Sequence, residues 1–371
     1  MQTVEGYEVD LPMRRQRIAV AAIAASAVLA SCGLPAAARS PGVKPAELRG
    51  LPDARPTSAG IGLIVEPDDG VRPVTRILDR AQHTIFVDSY ILTDRRVIRA
   101  LERAAAQGVS VYVMLEERAL GMGTQPVKLA NELRAAGIEY RPAPHYFALD
   151  HIKLIVVDDR LALISSANLS KSAFTVNRDL LLVDSARDDV RSVSALFRSD
   201  WDRLPVPAID QHLVVSPINA RSTIQNLLGS ARHSISMYAE EINDSAVENE
   251  MRREAARGIS VRALVPNRQA VKGTGALLAA GVRLRALSAP YVHAKMIVVD
   301  GSEAYVGSEN ISSQSLDRNR EVGLLVQGGL VARLSRLFDR DWSRAVFDKQ
   351  WRTRYTSGAS RVSMRAPVPL P

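Results

Sequence analysis

Two short strings in this chain carry the residue types that chemistry at a phosphate requires. The first is HIKLIVVD at 151–158, followed by SSAN at 165–168; the second is HAKMIVVD at 293–300, followed by GSEN at 307–310. Each copy adds an acid at the same distance beyond its histidine: Asp179 after His151 and Glu321 after His293, in NRD and NRE triplets. A histidine and a lysine two residues apart on a strand point to the same face, roughly 6.5 Å apart along the chain. His151 and His293 offer imidazole for nucleophilic or acid–base work, and Lys153 and Lys295 offer positive charge. Ser166, Asn168, Ser308 and Asn310 offer hydrogen-bond donors to phosphate oxygens. Asp179 and Glu321 are candidates for holding an imidazole N–H, which fixes the tautomer and raises basicity. A single histidine in an apolar strand would read as a packed core residue. Two copies with the same company at the same separations argue for a site.

The elements that must position these groups are legible nearby. Each lysine is followed by an apolar run that ends at Asp158-Asp159 or Asp300-Gly301, and Asp-Gly is a two-residue hairpin signal. A turn of that length sets His293 opposite Ser308, and the same geometry sets His151 opposite Ser166. Asp158 and Asp300 sit at odd parity from their histidines, roughly 23 Å away along an extended strand. They are therefore expected to cap turns or serve structure rather than touch the same phosphate.

The rest of the chain also says much the same thing twice. TIFVDSY at 84–90 matches SISMYAE at 234–240, and helical RRVIRALERAAAQ at 95–107 matches SAVENEMRREAAR at 245–257. Gly108 and Gly258 then stop the helices and open alternating strands at 108–115 and 258–265. Asp200-Trp201 and Asp341-Trp342 close the two copies, with the tryptophans expected to pack helix against sheet. Strands alternating with helices of this length predict an α/β fold of two tandem, pseudo-symmetric sandwich repeats, 60–205 and 206–348. A duplicated unit packs on its copy about a pseudo-two-fold axis, which would bring both strings to one active site between the repeats. His83, His145, His212 and His233 lack such company and read as surface or turn residues. His145-Tyr146-Phe147, just before the first string, reads equally as a substrate mouth or a packed loop. Arg95, Arg96, Arg99 and Arg103 form a solvated helix face.

The doubled HxKxxxxD with a downstream GSxN-like string resembles the phospholipase D superfamily, and the resemblance spans roughly residues 60–345. It implies an α/β sandwich with both motifs converging at the pseudo-dyad, and no metal or other cofactor. It also implies that one histidine attacks phosphorus to form a phosphohistidine. The other protonates the leaving alcohol and then activates water or a second alcohol. By this resemblance His151 is the nucleophile and His293 the acid–base. Two departures stand out: Ser165 occupies the place of Gly307, and Asp179 is one methylene shorter than Glu321. Neither removes a reacting group.

The composition and the N-terminus bear on where such an enzyme would work. In 371 residues, 46% are hydrophobic and 24% charged, a globular balance that excludes a wholly disordered chain. The net charge of +8 favours anionic partners: lipid, nucleic acid or phosphorylated substrate. Cys32 is the only cysteine, so an intramolecular disulfide is excluded. Arg14, Arg15 and Arg17 precede an apolar run over 18–30 that is too short to span a bilayer and ends in LASC. Residues 1–32 thus read as a signal peptide with a bacterial lipobox-like end and Cys32 as the lipidated residue, with translation starting at Met1 or Met13. A Pro/Ala-rich tether at 33–59 and a basic, disordered tail at 349–371 flank the repeats. The reading is a lipid-anchored envelope phosphodiesterase or phosphatidyltransferase, monomeric because both motifs lie in one chain, with a phospholipid substrate. Two alternatives remain open: a nuclease of the same superfamily, and a non-catalytic envelope protein that binds anionic polymers.

Overall fold

The computed structural model describes residues 60–206 and 208–347. The signal, Cys32, the tether and the tail expected from sequence lie outside the described residues.

The first repeat runs β1 (Ile61–Glu66), α1 (Arg72–Leu78), β2 (Thr84–Ser89), α2 (Arg95–Ala106), β3 (Ser110–Leu115), α3 (Gln125–Ala135) and β4 (Glu139–Pro142). It continues through β5 (Lys153–Val157), β6 (Leu161–Ser165), β7 (Asn177–Asp184) and α4 (Arg187–Asp202). The second runs β8 (Leu213–Ser216), α5 (Ala220–Gly229), β9 (Ser234–Tyr238), β10 (Ile242–Asn243), α6 (Ser245–Ala256), β11 (Ser260–Val265), α7 (Thr274–Ala279) and β12 (Arg283–Ala286). It ends with β13 (Tyr291–Val292), β14 (Lys295–Val299), β15 (Glu303–Gly307), β16 (Ile311–Ser312), α8 (Ser313–Asp317), β17 (Glu321–Gln327) and α9 (Gly329–Arg344).

The main sheets have the same order, β1-β7-β6-β5-β2-β3-β4 and β8-β17-β15-β14-β9-β11-β12. In each, three neighbouring strands are parallel and the others antiparallel. The central strands β5 and β14 are buried at every position, which is why they read as unbroken apolar runs rather than as alternation. Local chemistry places the helices identically. Asp94 and Asp244 cap α2 and α6 by accepting backbone N–H bonds, and Gly108 and Gly258 follow with φ of +87° and +90°.

The hairpin register differs from the sequence expectation. Val157 pairs with Leu161 and Val299 with Glu303, so each loop has three residues, not two. Lys295 consequently lies opposite Gly307, and Ser308 moves one place away from His293. The physical reason is that Asp158 and Asp300 turn inward from a positive φ. Each accepts three backbone N–H bonds at the entrance to the neighbouring strand. Asp158 holds Gln82, His83 and Thr84 at 2.7–2.9 Å. Asp300 holds Arg232, His233 and Ser234 at 2.8 Å. These acids are caps for β2 and β9, far from the reacting histidines.

The repeats meet through β5–β7 and β15–β17, and buried ion pairs cross between them. Arg178 reaches Asp341 at 2.7 Å, and Arg320 reaches Asp200 at 2.7 Å, with all four residues at most 2% exposed. The tryptophans beside these aspartates stay within their own repeats, Trp201 against Phe197 and Tyr112, Trp342 against Phe338. Asp200→Ala would strand the Arg320 guanidinium without its partner. It should cost about 3–5 kcal/mol of stability in denaturant unfolding, against a near-neutral outcome if the pair carried no weight.

Candidate active site

The segment before each histidine crosses to the other repeat. β13 pairs in parallel with the start of β7, and Asp150 forms the matching bridge to Arg320. Backbone bonds fix the crossing: His151 N–H donates to Arg320 O at 2.8 Å, and His293 N–H to Arg178 O at 3.1 Å. Each imidazole therefore meets the acid of the opposite repeat. His151 Nδ1 lies 2.8 Å from Glu321 Oε2, and His293 Nδ1 lies 2.8 Å from Asp179 Oδ1. The missing methylene of Asp179 leaves the ring contact unchanged, at 2.8 Å in both pairs. An acid on Nδ1 leaves Nε2 of each ring for chemistry.

Both histidines open onto one cavity of about 460 Å³, whose walls include Asn168, Asn310, Tyr90, Glu240 and Tyr291. Among the described residues the Oδ1 atoms of Asn168 and Asn310 have no hydrogen-bond partner, and both side chains line the cavity where a substrate would sit. Lys153 and Lys295, each 2% exposed, donate to the carbonyls of His151 and His293 at 2.7 and 2.6 Å. Their ammonium groups are thus held beside the rings. Ser166 and Ser308, expected as phosphate donors, are fully buried instead. Ser166 Oγ donates to Asp179 at 2.6 Å, and Ser308 Oγ accepts from the Val322 N–H at 3.1 Å. This corrects the expectation: Ser166 orients the acid that orients His293. Glu321 receives equivalent support from Ser315 Oγ at 2.5 Å and Asn319 Nδ2 at 3.0 Å. Gly307 differs from Ser165 because the Tyr305 hydroxyl and Gly323 fill the space that a Cβ would need.

The electrostatics of the two halves differ. At matching strand ends stand Tyr90 and Glu240, a pair visible in the aligned repeats but assigned no role by sequence. Tyr90 sets its ring edge-on to His151, with centroids 4.7 Å apart, and lies beneath the Lys153 ammonium at 5.3 Å. Glu240 instead bonds Lys295 Nζ at 2.6 Å and approaches His293 Nε2 at 3.5 Å. Burial would raise the Glu240 carboxyl, but Lys295 and His293 outweigh it and hold it well below the usual range. His293 thus has a carboxylate near each ring nitrogen, whereas Glu321 faces only Nδ1 of His151. Burial lowers the His151 pKa; Glu321 opposes this, and Lys153 and Lys295 add to it. Glu321 itself would be raised by burial, yet His151 and Lys153 keep it below its ordinary value.

Burial pushes the Lys153 ammonium down to about 7, against the pull of Glu321. Its positive charge is present below that pH and is lost as pH rises through it. KM for an anionic phosphodiester should therefore climb above pH 7, by up to about tenfold per unit. Lys153→Arg keeps its charge and should flatten that limb; a wild-type KM constant to pH 9 would contradict the assignment.

His145 is exposed, and Phe147 packs under Arg320 at 4.4 Å, so that loop is a packed one with an exposed rim. His83, His212 and His233 are exposed as expected.

A duplicated α/β sheet with two crossed histidine–carboxylate pairs on one cavity defines a phosphodiester-transfer enzyme of the phospholipase D superfamily. A family model described as "Cardiolipin synthase, PLD-like domain" matches residues 74–201 and 224–342, and the chain belongs to this family. Cardiolipin synthase A of Pseudomonas fluorescens is 24% identical over 358 residues, covering 82% of this chain and 73% of that protein. The cardiolipin synthase of Geobacillus kaustophilus is 26% identical over 343 residues, covering 77% and 68%. Among solved structures, phosphatidylserine synthase from Haemophilus influenzae superposes with a TM-score of 0.59 at 12% identity, covering 82% of this chain and 94% of that one. Polyphosphate kinase from Porphyromonas gingivalis gives 0.62 at 20% identity, covering 80% and 53%. These two likenesses show the fold.

Proposed function

We propose that this protein transfers the phosphatidyl group of a glycerophospholipid from its head-group alcohol to water or a second alcohol. The observation that carries the reading is the pair of histidines on one cavity, each steadied by an acid from the opposite repeat. His151 Nε2 attacks phosphorus while the P–O bond to the head group breaks, and His293 Nε2–H protonates the departing oxygen. The acceptor then gives its O–H proton to His293 and attacks phosphorus, the P–N bond breaks, and His151 regains its lone pair. Splitting the displacement in two replaces one difficult step by two easier ones.

The cardiolipin synthase relatives support a phospholipid substrate, as does Leu120, 81% exposed on the cavity wall and suited to acyl chains. Lipidation at Cys32 would keep the cavity near a bilayer in the cell envelope, and more than one acyl chain would make that attachment stable. No described helix is long and apolar enough to cross a membrane. With both motifs in one chain, a monomer suffices for catalysis.

The test is incubation of purified protein with mixed phospholipid vesicles, with and without glycerol or ethanol, reading products by mass. New phosphatidyl alcohols or phosphatidate are expected. Cleavage of single-stranded DNA with intact lipids would instead establish the nuclease. No turnover of either, with both histidines intact, would leave anionic-polymer binding.

A further inference from the structure

At the end of β7 remote from the active site, three carboxylates and an imidazole converge on the junction between the repeats. Asp184 closes β7, Asp189 lies in the first turn of α4, and Asp210 and His212 lie in the segment leading into β8. His212 Nδ1 is 3.0 Å from Asp210 Oδ1 and 3.5 Å from Asp189 Oδ1. One ligand atom from each of Asp189, Asp210 and His212 falls within 4.8 Å of the others, the spread that a single metal ion can bridge. Asp184 is 0% exposed; its Oδ1 accepts the Ala186 N–H at 2.7 Å, while its Oδ2 has no hydrogen-bond donor among the described residues, and Asp189 and Asp210 are its charged neighbours. Asp189 is 5% exposed, and its Oδ1 also lacks a hydrogen bond among the described residues. Buried carboxylate oxygens crowded without donors are costly unless something positive lies between them. His212, itself exposed, brings an imidazole nitrogen to them.

We propose that Asp189, Asp210 and His212 bind one divalent cation of borderline hardness, Zn²⁺ or Mn²⁺, that pins the inter-repeat junction, with the buried Asp184 carboxylate behind them. The donor set decides the class. Two carboxylates and one imidazole, with water completing the shell, suit Zn²⁺ or Mn²⁺, whereas Ca²⁺ and Mg²⁺ prefer oxygen alone. The role is structural because Asp184 lies five residues along β7 from Asp179, roughly 17 Å away. The ion would tie the first repeat, through Asp189, to the incoming strand of the second, through Asp210 and His212. That strand is held on its sheet where His212 O accepts the Leu325 N–H at 2.8 Å. The competing occupant of the gap is a shared proton.

Full-length protein stripped with EDTA should unfold several degrees lower than the same protein given ZnCl₂ or MnCl₂ at about 100 μM, with smaller shifts for CaCl₂ and MgCl₂. Elemental analysis after dialysis should find close to one Zn²⁺ or Mn²⁺ per chain. Asp210→Asn and, separately, His212→Ala should lose both the shift and the bound metal. His212 is an exposed side chain, so its removal leaves a folded protein in which to read the loss. Phospholipid turnover at room temperature should survive EDTA, which separates this site from the histidine chemistry. No thermal shift with any of the four salts would overturn the proposal in favour of the proton. So would an undiminished shift and metal content in both variants.

Discussion

His151→Ala should abolish the covalent phosphoenzyme and lower turnover by about 10⁴-fold or more. The neighbouring groups on that side of the cavity are poor substitutes: Lys153 is tied to the His151 carbonyl, Asn168 offers only a carboxamide, and the Tyr90 phenol, raised by burial, accepts the Leu120 N–H. His293→Ala should behave differently. It removes the proton donor and acceptor, a loss of about 10²–10⁴, but leaves the attacking nitrogen. With a substrate whose leaving group needs no protonation, the first half-reaction should proceed and the second should stall, so phosphoenzyme accumulates. Intact-protein mass spectrometry at neutral pH, where phosphohistidine survives, distinguishes the two variants. An adduct that persists without His151 and vanishes without His293 would reverse the roles.

The crossed carboxylates yield the second large effect. Glu321→Gln should resemble a lesion at His151, slowing formation of the phosphoenzyme. Asp179→Asn should resemble a lesion at His293 and trap it. Each should cost about 10²–10⁴ in kcat, the range seen when an imidazole loses the acid that fixes its tautomer. The amides keep the volume, and in Asp179→Asn the carboxamide oxygen can still accept from Ser166, so the fold is expected to survive. Double-mutant cycles read the connectivity. Glu321→Gln should add little to His151→Ala yet compound with His293→Ala. The opposite result would mean that each acid serves the histidine of its own repeat, contrary to the 2.8 Å contacts.

Much of this is legible in the residues alone. Apolar runs after each lysine mark β5 and β14, alternation marks β3 and β11, and Asp94, Asp244, Gly108 and Gly258 bound the helices between them. These are local signals, set within a few residues by hydrogen-bond geometry and side-chain period. The hairpin loops are one residue longer than their local signal predicts, because Asp158 and Asp300 are recruited by backbone N–H groups 74–76 and 66–68 positions away in sequence. That demand changes the loop and moves the serines out of reach of substrate.

The chain's own order of residues determined which groups react, that they occur twice, and which sheets carry them, since repetition and period are written along the polymer. Tertiary structure alone decided which acid serves which histidine, across separations of 114 and 170 residues. It decided that Ser166 serves Asp179 and that Glu240 bonds Lys295 while the matching Tyr90 sets an aromatic ring, not a carboxylate, against His151. Such choices come from packing two near-identical faces about an axis. A pattern repeated in each half is compatible with both straight and crossed pairing, and only the strand that steps across to the other sheet selects between them.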